Sequence, residues 1–181
     1  MTAPVIESER LAFYDWSNPD HVKAMVYINS DPAVMEFFPS TMDKSQTLDF
    51  VQRNQALFEE KGYCYFACVE KASSQMIGFI GIYDQNYESE FTPATDIGWR
   101  LTPSAQGRGL ATEGARRCLE YAFEELNFRH IIAMAPEVNA PSLAVMERLG
   151  MEYVGPFDHP KLLSDERLKR CKCYQIMKNH L

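Results

Sequence analysis

Two glycines at alternate positions mark the segment best equipped for chemistry: Trp99-Arg100-Leu101-Thr102-Pro103-Ser104-Ala105-Gln106-Gly107-Arg108-Gly109-Leu110-Ala111-Thr112-Glu113. A strand-like run (TDIGWRL, 95–101) stops at Pro103, and a glycine-rich turn then leads straight into the strongest helical pattern of the chain. Glycines leave backbone N–H groups uncovered, and a helix start adds further unpaired donors at the positive end of its dipole. Such a turn can cradle a pyrophosphate, with Arg108 adding a full charge beside it. Other phosphate motifs fit poorly. No Gly-Lys-Ser/Thr run exists, and Thr112 stands where a dinucleotide fingerprint needs a third glycine or alanine.

The remaining reactive side chains suggest little by themselves. Five cysteines (Cys64, Cys68, Cys118, Cys171 and Cys173) form an odd set without a CxxC spacing, which argues against a complete disulfide framework and for reduced thiols in a cytoplasmic protein. Cys118 falls on the apolar face of its helix and reads as packing, not as a nucleophile. His21, His159 and His180 lack metal-site spacing, so no metal is expected, and His130 opens a strand with no visible partner.

These residues need elements to position them. Residues 10–14 read as an opening strand, and Asn18 or Asp20 caps a short helix. Residues 44–61 form a second helix ended by Gly62. YCYFACVE (63–70) and MIGFIGIY (76–83) form an antiparallel hairpin around KASSQ, and 84–94 reads as a polar loop. Across 107–126, Ala115, Cys118, Leu119, Ala122, Phe123 and Leu126 share one helical face. A strand (131–136), a helix (142–149) ended by Gly150 and two late strands (about 151–157 and 170–177) follow. The basic stretch 167–172 is expected on a solvated sheet edge, which positive charge protects from aggregation. The pattern predicts an α/β fold with a mixed, mostly antiparallel sheet of six or seven strands flanked by helices.

With 181 residues, 1–181 is expected to be one domain. A net charge of −7 argues against non-specific nucleic-acid binding, no apolar run suits a membrane helix, and the opening residues lack a secretory leader. The charge is uneven: residues 1–90 carry 14 acidic and 6 basic side chains (−8), and residues 91–181 carry 11 and 12 (+1). An anionic ligand is therefore expected on the second half and a cationic acceptor on the first.

Gln106-x-x-Gly109-x-Ala111 matches the Q/R-x-x-G-x-G/A signature of the GNAT N-acetyltransferase superfamily. Asn139-Ala-Pro-Ser142-Leu-Ala-Val-Met-Glu-Arg-Leu149-Gly150-Met151 resembles that family's N-x-x-S/A…L-G-F element. SERLAFYDWSNPD, DPAVMEFF (31–38) and the 62–82 hairpin look like its RimJ/RimL-type branch, which acetylates ribosomal-protein N-termini and many small amines.

The resemblance implies the GNAT fold, acetyl-coenzyme A as cosubstrate, and a primary amine (a protein N-terminus or a small molecule) as acceptor. It implies that strand 96–101 splays from strand 131–136, with pantetheine pairing to the backbone of Trp99 and Leu101. Gln106, Gly107, Arg108, Gly109, Leu110, Ala111 and Thr112 would hold the pyrophosphate, with Asn139, Ser142 and Met146 along the pantetheine and thioester. Catalysis would use Asn139, Ser142 as donor to the leaving sulfur, and Asp96 as the base. Glu137 is a second carboxylate to weigh, and Asp96 is otherwise a solvated strand end. Many members carry a tyrosine acid seven residues after the Asn; here that position is Met146. The expected reaction is direct attack in a ternary complex by a monomer or homodimer. The alternative is a non-catalytic acyl-coenzyme A sensor.

Overall fold

The computed structural model describes residues 2–181. A two-residue strand, β1 (Ile6–Glu7), pairs with β2 (Leu11–Tyr14). Helix α1 (Pro19–Ser30) begins where the Asn18 side chain accepts the Asp20 N–H. Helix α2 (Lys44–Lys61) begins in a reciprocal cap between Asp43 and Gln46 and ends on Gly62, whose φ of +83° lies in the left-handed region. Strands β3 (Tyr65–Glu70), β4 (Gln75–Ser89) and β5 (Thr92–Leu101) form an antiparallel meander. Helix α3 (Leu110–Glu120) then crosses over to β6 (His130–Pro136), which lies parallel to β5. Helix α4 (Ala140–Arg148) leads to β7 (Glu152–Asp158), and β8 (Arg170–Met177) returns between β6 and β7.

The sheet order is β1-β2-β3-β4-β5-β6-β8-β7. It is mixed and mostly antiparallel, with eight strands where six or seven were expected; the short β1 was not foreseen. Three further expectations are corrected. Residues 84–94 are not a loop: they extend the β4–β5 hairpin out to Ser89 and Thr92. Their polar side chains pair across the hairpin, as where Thr95 Oγ1 donates to Asp84 at 2.8 Å, and Phe91 packs edge-on against Phe157. The strand after the 167–172 stretch is not an edge, because β8 is paired on both sides and Arg170 faces Asp158 on β7. The third helix starts at Leu110, not 107, and its last turn widens into a π-turn over Tyr121–Glu125.

Helix α3 covers one face of the sheet; α1 and α2 cover the other, where Phe50 meets Phe79 and Tyr65. Gly114 lets α3 approach closely: an added Cβ would lie 2.4 Å from Ile80 Cδ1 and 3.1 Å from Leu11 Cδ1. This approach fixes where the head of α3 points. Strands β5 and β6 share one ladder pair, Asp96 with Ile132, and then part. The slot between them is the feature that organises the site.

Gly114→Leu should destabilise the fold by about 1–3 kcal/mol through overpacking, with Gly114→Ala milder. Scanning calorimetry reads the difference, and equal melting temperatures for the two variants would contradict the close approach.

Candidate active site

The slot opens into two clefts. Both are lined by Trp99, Arg100, Asn139 and Ser142, so they meet at the splay. The first cleft, of about 1110 Å³, runs along the head of α3 past Gln106, Gly107, Gly109, Ala111 and Thr112. The second, of about 820 Å³, lies under the α1–α2 connection and includes Tyr65, Gln85 and Asp96.

Gly107 and Gly109 hold φ of +70° and +76°, conformations that L side chains resist. An added Cβ at Gly107 would meet nothing within 4 Å. Gly109 occupies the N-cap of α3 with no side-chain hydrogen bond, so the first amides of the helix are left open. Leu110 is buried beneath the turn, and Thr112 Oγ1 is buried without a hydrogen-bond partner. Gln106 Nε2 donates to the Leu101 carbonyl at 3.1 Å and so closes the corner where β5 ends.

Arg108 does not line the cleft. Its guanidinium pairs with Glu70, holding that carboxyl below the usual range, and its carbonyl accepts Arg10 Nη1 at 3.0 Å. Arg10 is itself tied to Glu113 through Nε at 2.6 Å, with Ser8 Oγ donating to the same carboxylate at 2.7 Å. Burial pushes the Glu113 carboxyl up, but these bonds hold it below its ordinary value. The expected charge beside the turn is thus a strap behind it. The cations that do line the first cleft are Arg100 on β5, Arg116 and Arg117 on α3, and Arg148 on α4; the helical ones lie on mixed faces that gave no local signal.

At the splay, Asn139 caps α4: its Oδ1 accepts the Ser142 N–H at 3.2 Å. The cap role and a place on the cleft therefore coexist in one side chain. Trp99 Nε1–H donates to Ser142 Oγ at 3.3 Å, which leaves the hydroxyl proton free to point elsewhere. Met146 is buried and reaches the second cleft, not the first.

Asp96 is no solvated strand end. It is 7% exposed and accepts Tyr65 Oη–H at 2.6 Å and Gln85 Nε2–H at 3.1 Å. Burial raises its pKa to about 7 against the pull of those two donors, and nearby Asp84 adds repulsion. Tyr65 and Gln85 were missed in the sequence because they sit on other strands; the parity of β3, β4 and β5 is what brings them together. Glu137 is exposed, lines neither cleft and directs its N–H to the Arg170 carbonyl. Cys118 is buried and its thiol is pushed up by desolvation. His130 has a partner after all, Gln175 Oε1 at 3.0 Å. Among the described residues no cluster suits a metal ion, and no helix is long and apolar enough to cross a membrane.

Residues 10–152 match the family model for the acetyltransferase (GNAT) domain. The chain belongs to the GNAT acetyltransferase family. It is 34% identical over 146 residues to the uncharacterized N-acetyltransferase YnaD of Bacillus subtilis (strain 168), covering 80% of this chain and 78% of that one. Among solved structures it is similar to a GNAT-family acetyltransferase from Bacillus anthracis (27% identity, TM-score 0.77, 96% and 98% covered). It also shares its fold with RimL, a ribosomal L7/L12 alpha-N-protein acetyltransferase solved in complex with coenzyme A (18% identity, TM-score 0.76, 96% and 97% covered).

Asp96 makes stability depend on pH in an uncommon direction. Its folded pKa lies above its ordinary value of 3.8, so its contribution is fully present below about pH 4 and is lost as pH rises through about 7. Asp96→Asn should therefore gain stability relative to the parent between pH 4 and 8. At about 1.4 kcal/mol per pKa unit, the gain is on the order of a few kcal/mol. Parallel denaturation curves at pH 4.5 and 8 check this, and a gap that does not widen with pH would contradict it.

Proposed function

We propose that the protein transfers the acetyl group of acetyl-coenzyme A to a primary amine by direct attack in a ternary complex. The observation that carries this reading is the meeting of two clefts at the single-rung splay of β5 and β6. Cosubstrate and acceptor can approach through separate clefts and touch at one place.

On this reading the pyrophosphate lies against the amides of Gly107 to Thr112. The open N-terminus of α3 and the unpartnered Thr112 hydroxyl fit it, and Arg116 supplies positive charge. The pantetheine arm extends into the slot and pairs with the free backbone edge of β5 around Trp99 and Leu101, as an added strand would. A backbone N–H there polarises the thioester carbonyl. Asn139, with its oxygen committed to the cap, has its amide N–H groups left for the same arm.

Asp96 takes the proton of the attacking ammonium, directly or through water; a pKa near 7 suits a base at neutral pH. The amine nitrogen then bonds to the acetyl carbon, the C–S bond breaks, and Ser142 passes its proton to the departing thiolate while regaining one, directly or through water, from the nitrogen, which becomes the neutral amide. The position that carries a tyrosine in many GNAT members is Met146 here. Buried Cys118 is unsuited to an acyl-enzyme.

Four measurements test the reading. Coenzyme A should raise the melting temperature, and acetyl-coenzyme A with an accepted amine should release free thiol; protection without thiol release from a broad amine panel would favour the sensor reading. Gly109→Glu should weaken coenzyme A binding by at least about tenfold (~1.4 kcal/mol); its Cβ meets only Arg10 Nη2, at 3.6 Å, but the φ of +76° strains any L side chain. Gly109→Ala, with the same strain and no charge, is therefore the control and should bind more tightly than Gly109→Glu. Ser142→Ala should lower kcat on the order of 100-fold with little change in the KM for acetyl-coenzyme A. The parent's rate should rise with pH through about 7 as Asp96 ionises, a limb that Asp96→Asn should abolish.

A further inference from the structure

Arg100 is a half-buried cation without a counter-charge. It sits on β5 four residues after Asp96 and on the same face of the strand, roughly 13 Å along it. Its Nη1 donates to Asn29 Oδ1 at 2.8 Å, an oxygen fixed in turn because Asn29 Nδ2 donates to Thr47 Oγ1 at 3.1 Å. Its guanidinium lies over the ring of Phe38 at 4.2 Å and near that of Phe79 at 5.1 Å. Its Nε is buried with no hydrogen-bond partner. Among the described residues no carboxylate lies within ion-pairing distance of it. Burial lowers its pKa to about 10, which still leaves it charged at neutral pH.

Aromatic faces and one amide recover only part of what desolvating a guanidinium costs. A planar guanidinium that lines both clefts with no carboxylate partner is shaped for an oxyanion. The surroundings point the same way. Arg53 and Lys161 also line the second cleft, and neither forms an ion pair. Of the two acids there, Asp84 is already engaged by Lys61 at 2.6 Å, and Asp96 is partly protonated near neutral pH. The cleft thus carries a positive balance, although the first half of the chain is acidic overall. The anionic part of the cosubstrate is assigned to the head of α3, and its arm is neutral, so this charge is left for the acceptor.

Resting on the transferase reading, we propose that the acceptor is an amine that also carries a carboxylate, and that Arg100 receives that carboxylate. Arg100 is then a specificity-determining residue: it selects the acceptor and aims its amine toward Asp96. The carboxylate has two possible sources, a free amino acid or an acidic side chain next to a protein N-terminus.

The test uses the full chain saturated with coenzyme A, titrated calorimetrically with matched pairs. One arm compares amino acids with their amides and their decarboxylated amines. The other compares N-terminal peptides bearing Asp or Glu at the second or third position with the Asn or Gln forms. The expected result is at least tenfold tighter binding of the carboxylate member in one arm, which identifies the source, and the same ratio in kcat/KM through KM. Arg100→Gln should reduce that ratio to near one. Asn29→Asp, which keeps the shape but supplies an internal counter-charge, should do the same and guards against a merely misfolded Arg100 variant. Equal binding of charged and neutral members, or a preference that survives both substitutions, overturns the proposal. Loss of coenzyme A protection in the parent would instead strike the transferase reading; carboxylate binding to the unliganded chain would still decide the role of Arg100.

Discussion

The structure depends on one interrupted pairing. Strands β5 and β6 run parallel, share the single rung Asp96–Ile132, and separate. A parallel pair normally continues its ladder, because backbone groups left without partners inside a protein are costly. Here the chain holds the strands apart. Gln106 caps the Leu101 carbonyl, α3 is pressed onto the sheet at Gly114, and β8 and α4 secure β6 on its other side. What remains is a slot in the sheet with peptide groups on its rim, open to both clefts. An extended molecule with amides of its own is the natural complement to such an edge.

Two charges on one strand show how the fold tunes that slot. Asp96 and Arg100 project from the same face of β5, and both are desolvated. Asp96 receives a phenol and an amide as donors, which moderate but do not cancel the rise in its pKa. Arg100 receives an amide oxygen and two aromatic faces but no carboxylate. Neither arrangement maximises stability. Each leaves a group poised between its charged and satisfied states beside a cleft, as expected where function and stability compete. The strap from Glu113 through Arg10 to Arg108 has the opposite character: every charge in it is paired, and it keeps the glycine turn in place.

Much of this was legible in the residues alone. The glycine turn, the apolar stripe of α3, the Gly62 stop and the 63–83 hairpin all follow from local chemistry and period. The Asn139–Ser142 cap was readable too, though not that the capping side chain would also line both clefts. The polar outer half of the β4–β5 hairpin was not legible: its residues satisfy one another across strands, and that pairing leaves no apolar alternation along either one. The position of β8 between β6 and β7 was hidden because strand order is a non-local property. Arg108 was misplaced for the same reason, since its partner Glu70 lies 38 residues away in the chain.

The amino-acid sequence by itself determined which segments become strands and helices and where bare amides gather, because backbone conformation and side-chain period act over a few residues. Only the tertiary structure decided which strands part, which carboxylate is buried and which cation is left unpaired. Those outcomes depend on desolvation and on partners brought together from distant segments, and neither quantity exists until the chain has closed around them.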